Sequence, residues 1–225
     1  MKKISPLLFF VTLLALAALA CSAGATNGGT GETGDTGSTS GPTVLFKDDF
    51  SNSSSGWSSY SDEEGVNDYT DGGYRIFVNK TQWYFWTNPE RSFTDTIIEV
   101  DGKKIAGPDE NDYGVICRYT DDANFYFFTV GSDGYYAISK FVNGEESLVG
   151  MEEMQFNDSI IKGGDATNRI KVTCAGSGLT LEVNGTILAD VVDSDLATGD
   201  VGLIAGSYDT AGVDILFDNI VVTKP

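Results

Sequence analysis

The stretch from Asn168 to Thr186 reads NRIKVTCAGSGLTLEVNGT. Ile170, Val172 and Cys174 fall on one side of an extended chain, and Arg169, Lys171 and Thr173 on the other. After a Gly-Ser-Gly reversal, Leu179, Leu181 and Val183 repeat the pattern against Thr180, Glu182 and Asn184. A period of two with one apolar face predicts a half-buried antiparallel strand pair. Asn184-Gly185 predicts a second tight turn, because both central residues of such a turn need positive φ.

The rest of the folded part follows the same rule. TVLFKDDF (43–50), GYRIFV (73–78), TQWYFW (81–86) and TDTIIEVDGKKIA (94–106) are strand candidates. Residues 112–119 and 124–130 form a predicted hairpin, followed by YYAISKFV (135–142) and an Asn143-Gly144 turn. DVGLIAGS (200–207) and VDILFDNIVVT (213–223) close the domain. Residues 51–71 are polar and read as a long loop, and 151–167 as irregular. About a dozen short strands with tight reversals predict an all-β, two-sheet antiparallel sandwich over residues 43–225.

Two segments precede that domain. Residues 1–20 carry Lys2 and Lys3 and then the apolar run LLFFVTLLALAALA, the pattern of a secretory signal peptide. Ala18-Leu19-Ala20-Cys21 is similar to a bacterial lipobox, which implies lipidation of Cys21. Residues 21–42 are rich in Gly, Ser and Thr and have almost no apolar residues to bury. They read as a flexible tether with a reach of roughly 25 Å. The expected location is extracytoplasmic, with the protein held to the bacterial cell membrane by the N-terminal lipid alone.

Charge and composition narrow the chemistry. The formal net charge is −19. Loss of Lys2 and Lys3 with the leader takes it to −21. So acidic a surface argues against nucleic acid as a partner, since phosphate contacts need clustered Lys and Arg. The chain has no histidine. Ser-His-Asp and Cys-His catalysis are thereby excluded, and a zinc site of the usual ligands is disfavoured. With Cys21 lipidated, Cys117 and Cys174 remain. Each shares its parity with apolar neighbours, so both thiols point inward. A disulfide is the expectation; two buried free thiols are the alternative.

The runs N-x-I-x-V-x-C…L-x-L-x-V-N-G, G-D-V-G-L-I-A-G and F-D-N-I-V-V, with the opening LFKDDFS…GW, resemble concanavalin A-like lectin/glucanase domains. More narrowly, they are similar to the laminin G-like and 3-keto-disaccharide hydrolase-type branches found in bacterial lipoproteins. The resemblance implies a jelly roll, with a concave sheet that forms the sugar groove in lectins and glycosidases. It does not fix a ligand, because this fold hosts enzymes, lectins and adhesive modules.

Three sets of residues are candidates for function. Glycosidases of this fold carry E-x-D-x-x-E on one strand, which supplies the paired carboxyl groups of a retaining mechanism. Glu99 and Asp101 begin that pattern, but Lys104 stands where the second glutamate belongs. The strand therefore reads as exposed alternating charge. Trp83, Tyr84, Phe85 and Trp86 run consecutively, so their rings divide between two faces. One pair faces the core; the other is a platform on which the flat C–H face of a sugar stacks. Trp83, Tyr84 and Trp86 are the candidate ring contacts, with Arg118 and Lys140 as polar partners. Asp48, Asp49 and Asp218 lie on the first and last strands, which pair in the resembling domains, and form a candidate structural Ca²⁺ site. The expectation is a non-catalytic carbohydrate-binding module. A hydrolase using carboxylates on the concave sheet, or a surface protein–protein interaction module, is the alternative.

Overall fold

The computed structural model describes residues 41–70 and 72–225. The leader, Cys21 and all but the end of the tether lie outside them. Sixteen strands are present among the described residues. The first eight are β1 (Val44–Asp48), β2 (Tyr60–Ser61), β3 (Gly65–Thr70), β4 (Gly73–Val78), β5 (Trp83–Thr87), β6 (Thr96–Ala106), β7 (Asn111–Asp121) and β8 (Asn124–Val130). The rest are β9 (Tyr135–Val142), β10 (Glu145–Leu148), β11 (Gln155–Phe156), β12 (Asn168–Ala175), β13 (Gly178–Val183), β14 (Thr186–Val192), β15 (Asp200–Ser207) and β16 (Val213–Thr223).

They form two antiparallel sheets. The nine-stranded sheet runs β14-β13-β12-β6-β16-β4-β3-β2, with β1 also on β16. The seven-stranded sheet runs β10-β9-β8-β7-β15-β5, with β11 also on β9. The alternating stretch forms β12 and β13, with Ile170 opposite Val183 and Val172 opposite Leu181. All four are fully buried. Burial of each such side chain contributes about 1.5–3 kcal/mol. Asn184 and Gly185 both have positive φ, as the turn requires.

The inner faces of both sheets meet in one core. Ile76, Val100, Val172, Leu181, Ile215 and Val222 come from the nine-stranded sheet. Phe85, Val115, Tyr126, Phe128, Ile138 and Leu203 come from the seven-stranded sheet. A disulfide between Cys117 on β7 and Cys174 on β12 crosses this core and ties the sheets together.

The 51–71 region departs from the expected loop. Its second half is β3, paired along its length with β4. Gly65 and Asn67 occupy its buried positions, so it carries no alternating apolar signal. A Cβ at residue 65 would meet the Phe77 carbonyl oxygen at 2.5 Å and the Phe85 ring at 2.8 Å. The strand fits there because it lacks a side chain. The 151–167 region likewise contains the short strand β11, paired with Tyr135 and Tyr136.

Candidate functional site on the outer face of the seven-stranded sheet

The aromatic run forms β5, at one edge of the seven-stranded sheet. Phe85 enters the core, while Tyr84 and Trp86 project from the opposite face. Trp83 shares the inner parity and packs partly against the core, with the Lys80 ammonium 3.6 Å from its ring centroid. The outward pair joins a second apolar cluster, on the face turned away from the nine-stranded sheet. It contains Ile116 from β7, Phe125 and Phe127 from β8, Phe141 from β9 and Ile204 from β15, with Tyr119 packed against them. The rings run in a chain: Trp86 to Phe125 at 5.3 Å, Phe125 to Phe141 at 5.1 Å and Tyr84 to Phe127 at 5.4 Å between centroids. Tyr135 and Phe156 form an exposed ring pair at 5.1 Å on β9 and β11.

A pocket of about 180 Å³ opens at the β5 edge of this face. Trp86, Tyr119 and Tyr60 supply aromatic walls, and Asn67, Asn88 and Asp122 supply polar ones. Asn67 donates its Nδ2 proton to the Trp86 carbonyl oxygen at 2.9 Å. Its Oδ1 is buried with no hydrogen-bond partner. A buried acceptor left unpaired costs about 1–3 kcal/mol. Asn88 is held by donation to Asp200 at 2.9 Å, and the Tyr119 hydroxyl donates to Asp122 at 2.7 Å. The polar groups are thus oriented by their own partners. Flat rings beside fixed amide and carboxylate groups are the combination that grips a sugar: C–H faces on rings, hydroxyls on polar atoms.

Farther along the same face sits a pair of acids. Asp112 on β7 is opposite Gly206 on β15, and Gly206 is opposite Tyr84 on β5. A Cβ at residue 206 would collide with the Tyr84 ring. Glycine therefore lets that ring lie across the intervening strand, and the Tyr84 hydroxyl donates to Asp112 Oδ2 at 3.1 Å. Tyr208 donates to the same oxygen at 2.5 Å. Burial pushes the Asp112 carboxyl up to about 6, although the Tyr208, Tyr84 and Thr129 hydroxyls favour its charged form. Glu146 on β10 is pushed up to about 7 by burial and by the charge of Asp112. Burial and the Asp112 charge also hold the Tyr84 phenol well above its ordinary value.

Arg118 and Lys140 are not brought to this face. The β7–β8 register shifts after Cys117, and Arg118 has a φ of 55°. That bulge turns the guanidinium to the Leu196 carbonyl at 2.8 Å and the Gly176 carbonyl at 2.6 Å, and it delivers Tyr119 to the outer cluster. Lys140 lies opposite the core residue Tyr126, and its ammonium pairs with Asp193 at 2.5 Å and Asp195 at 2.6 Å.

Asp48 and Asp49 line a cavity of about 420 Å³ together with Asn52, Ser55 and Asn219, and Asp218 is not among its lining residues. β1 and β16 pair as expected, with Asp48 opposite Ile220. Asp48 is spent on the Phe50 amide at 2.8 Å and the Trp57 indole at 3.0 Å. Asp49 caps Ser51, and Asp218 accepts from the Asn219 amide. No group of three or more acidic or Cys side chains with metal-binding geometry occurs among the described residues. In this structure these carboxylates hold turn and strand-end donors. Glu99 and Asp101 lie on β6, in the other sheet, where Arg169 bridges them at 3.3 and 3.4 Å. Lys104 pairs with Asp109 at the end of that strand.

This architecture is an all-β, two-sheet antiparallel jelly-roll sandwich of concanavalin A-like fold. No protein-family model and no curated protein matches the chain. Solved structures do. A carbohydrate binding module CBM66 from Bacillus subtilis matches with a TM-score of 0.60 and 18% identity, over 75% of this chain and 96% of that one. A Bacillus subtilis protein of unknown function with a galectin-like fold matches at 0.59 and 13%, over 81% and 96%. A Bacillus licheniformis β-glucanase matches at 0.57 and 12%, over 83% and 100%. At these identities the likeness defines the fold.

Proposed function

We propose that this chain is a non-catalytic carbohydrate-binding module, held outside the cell by a lipid on Cys21 and a flexible tether. The supporting observation is the rim pocket, where Trp86, Tyr119 and Tyr60 stand beside Asn67, Asn88 and Asp122. In this reading the sugar ring stacks on the aromatic walls, and its hydroxyls bond Asn88 and Asp122. Tyr84, only 3% exposed, packs behind this pocket and does not line it. The fold's occurrence in a carbohydrate binding module is consistent with this use. The reading also places the chain among laminin G-like and 3-keto-disaccharide hydrolase-type lipoprotein domains. Affinity electrophoresis against a broad polysaccharide panel tests it. Retardation by at least one polysaccharide is expected, and silence across the panel from a folded protein rejects it. Globomycin treatment of producing cells tests the anchor: accumulation of the uncut precursor is expected, and unchanged processing rejects it.

A second reading is favoured by one observation, the acid pair Asp112 and Glu146 on the same face. A glycosidase needs one carboxyl held protonated and another ionised, with environments that push their pKa values apart. Here burial pushes both upward. Binding is preferred because neither acid lines the rim pocket. Turnover of any glycoside that disappears in Glu146→Gln would reverse that preference.

A further inference from the structure

The rim pocket holds about 180 Å³. Pockets that take drug-sized ligands run to about 300–1,000 Å³, so this one has room for about one sugar ring. The charge around it has a single sign. Asp122 lines the pocket, and Asp121 precedes it in the same exposed turn. The Tyr60 hydroxyl donates to Asp62. Ser59, between the lining residues Ser58 and Tyr60, donates to Asp68 at 2.9 Å. No described lysine or arginine lines the pocket. The two nearest along the chain are held elsewhere. Arg91 lies over the Phe46 ring, 4.5 Å from its centroid. Arg118, next to the lining residue Tyr119, is turned to the Leu196 and Gly176 carbonyls and stands 3.7 Å from Asp95. The bulge in β7 decides this. It brings the Tyr119 ring to the pocket and takes the neighbouring guanidinium away.

A neutral sugar meets rings, an amide, and a carboxylate that accepts from its hydroxyls. A sugar bearing a carboxylate or sulfate meets the same rings with no cation to answer its charge. Like charges brought together at a binding site oppose association, and salt screens them only beyond a Debye length of about 8 Å. The net charge of −19 adds a weaker repulsion of the same sign. We propose that the rim pocket takes one uncharged sugar unit at a time and excludes acidic sugars. This rests on the carbohydrate reading and narrows its substrate class.

Affinity electrophoresis of the full chain tests it. The polysaccharide that retards the chain is compared with the same polymer after oxidation of its primary hydroxyls to carboxylates. The oxidised polymer binds about tenfold more weakly. Two variants separate the pocket from the net charge: Asp122→Asn at the pocket, and Asp209→Asn, exposed and outside the lining. Each removes one negative charge. Asp122→Asn narrows the ratio between the two polymers to about threefold, and Asp209→Asn leaves it at about tenfold. The methyl glycoside of the same sugar, free at millimolar concentration, relieves the retardation, since one unit fills the pocket. Four results overturn the proposal and leave the carbohydrate reading intact: equal retardation by both polymers, retardation by acidic polysaccharides alone, a ratio that Asp122→Asn moves no more than Asp209→Asn does, and retardation that the methyl glycoside does not relieve. A panel that retards nothing rejects the carbohydrate reading and this inference with it.

Discussion

On the outer face of the nine-stranded sheet, charges are answered locally. Arg169 bridges Glu99 and Asp101, Lys171 pairs with Glu182 at 3.2 Å, and Arg75 binds Asp214 at 2.6 Å. On the outer face of the seven-stranded sheet, the residues are rings and two acids without a cationic partner among the described residues. The same alternation of side chains built both faces. One carries acids and bases paired at these positions. The other carries unpaired buried oxygens, which cost stability unless something outside the sheet answers them. Unsatisfied groups on an otherwise well-satisfied sandwich are where a ligand has most to offer.

The contrast presumes that the two sheets act as one body. The Cys117–Cys174 bridge spans 57 residues of chain and joins β7 to β12. Its removal by a Cys117→Ala, Cys174→Ala double change lowers unfolding free energy by about 4 kcal/mol in the chain-entropy model. Urea denaturation measures it, and an unchanged midpoint would mean that the sheets hold together without the link.

The next effect sharpens the contrast by its sign. Asp112 is held at about 6 rather than 3.8, so the folded state keeps its proton more tightly than the unfolded chain does. Its contribution to stability is therefore largest at low pH and is lost as pH rises from about 4 through about 6. Ionised, it costs roughly 3 kcal/mol. Asp112→Asn should stabilise the ligand-free protein by about that amount at about pH 8 and change little near pH 4. Denaturant unfolding at the two pH values checks it; destabilisation at high pH would show that the charge is already compensated. Gly206→Ala comes next, because the added Cβ displaces the Tyr84 ring. A cost of about 1–3 kcal/mol in thermal unfolding is expected, and a neutral result would show that the ring moves freely. Arg169→Ala, on the satisfied face, should cost under about 1 kcal/mol, and less still in high salt. A larger loss would mean that the ion pairs there are more than surface chemistry.

The strands were readable wherever a strand had one apolar face. β12 and β13 alternate without exception, and β6, β9 and β16 nearly so. β3 was hidden because its buried positions hold Gly65 and Asn67, which look like loop residues. Asn67 then proved to line the rim pocket. The parity argument divided the aromatic run correctly into two pairs, but only the sheet order decides which pair faces out. Strict alternation along β7 would have put Arg118 on the outer face. The bulge after Cys117 breaks it, and nothing in GVICRYTDD announces that bulge. Asp112 and Glu146 escaped for another reason. Each sits in a polar doublet that reads as solvated charge, and their placement in one sheet depends on the order β10-β9-β8-β7. Long-range strand order is the part of a sandwich that local pattern does not encode.

The difference between the two faces is most directly tested by affinity electrophoresis of three proteins across one polysaccharide panel: the unchanged chain, Tyr119→Ala on the ring-lined face, and Arg169→Ala on the ion-paired face. At least one polysaccharide should retard the unchanged chain and Arg169→Ala equally, and Tyr119→Ala much less. Retardation lost in Arg169→Ala but kept in Tyr119→Ala would contradict the assignment of the binding face.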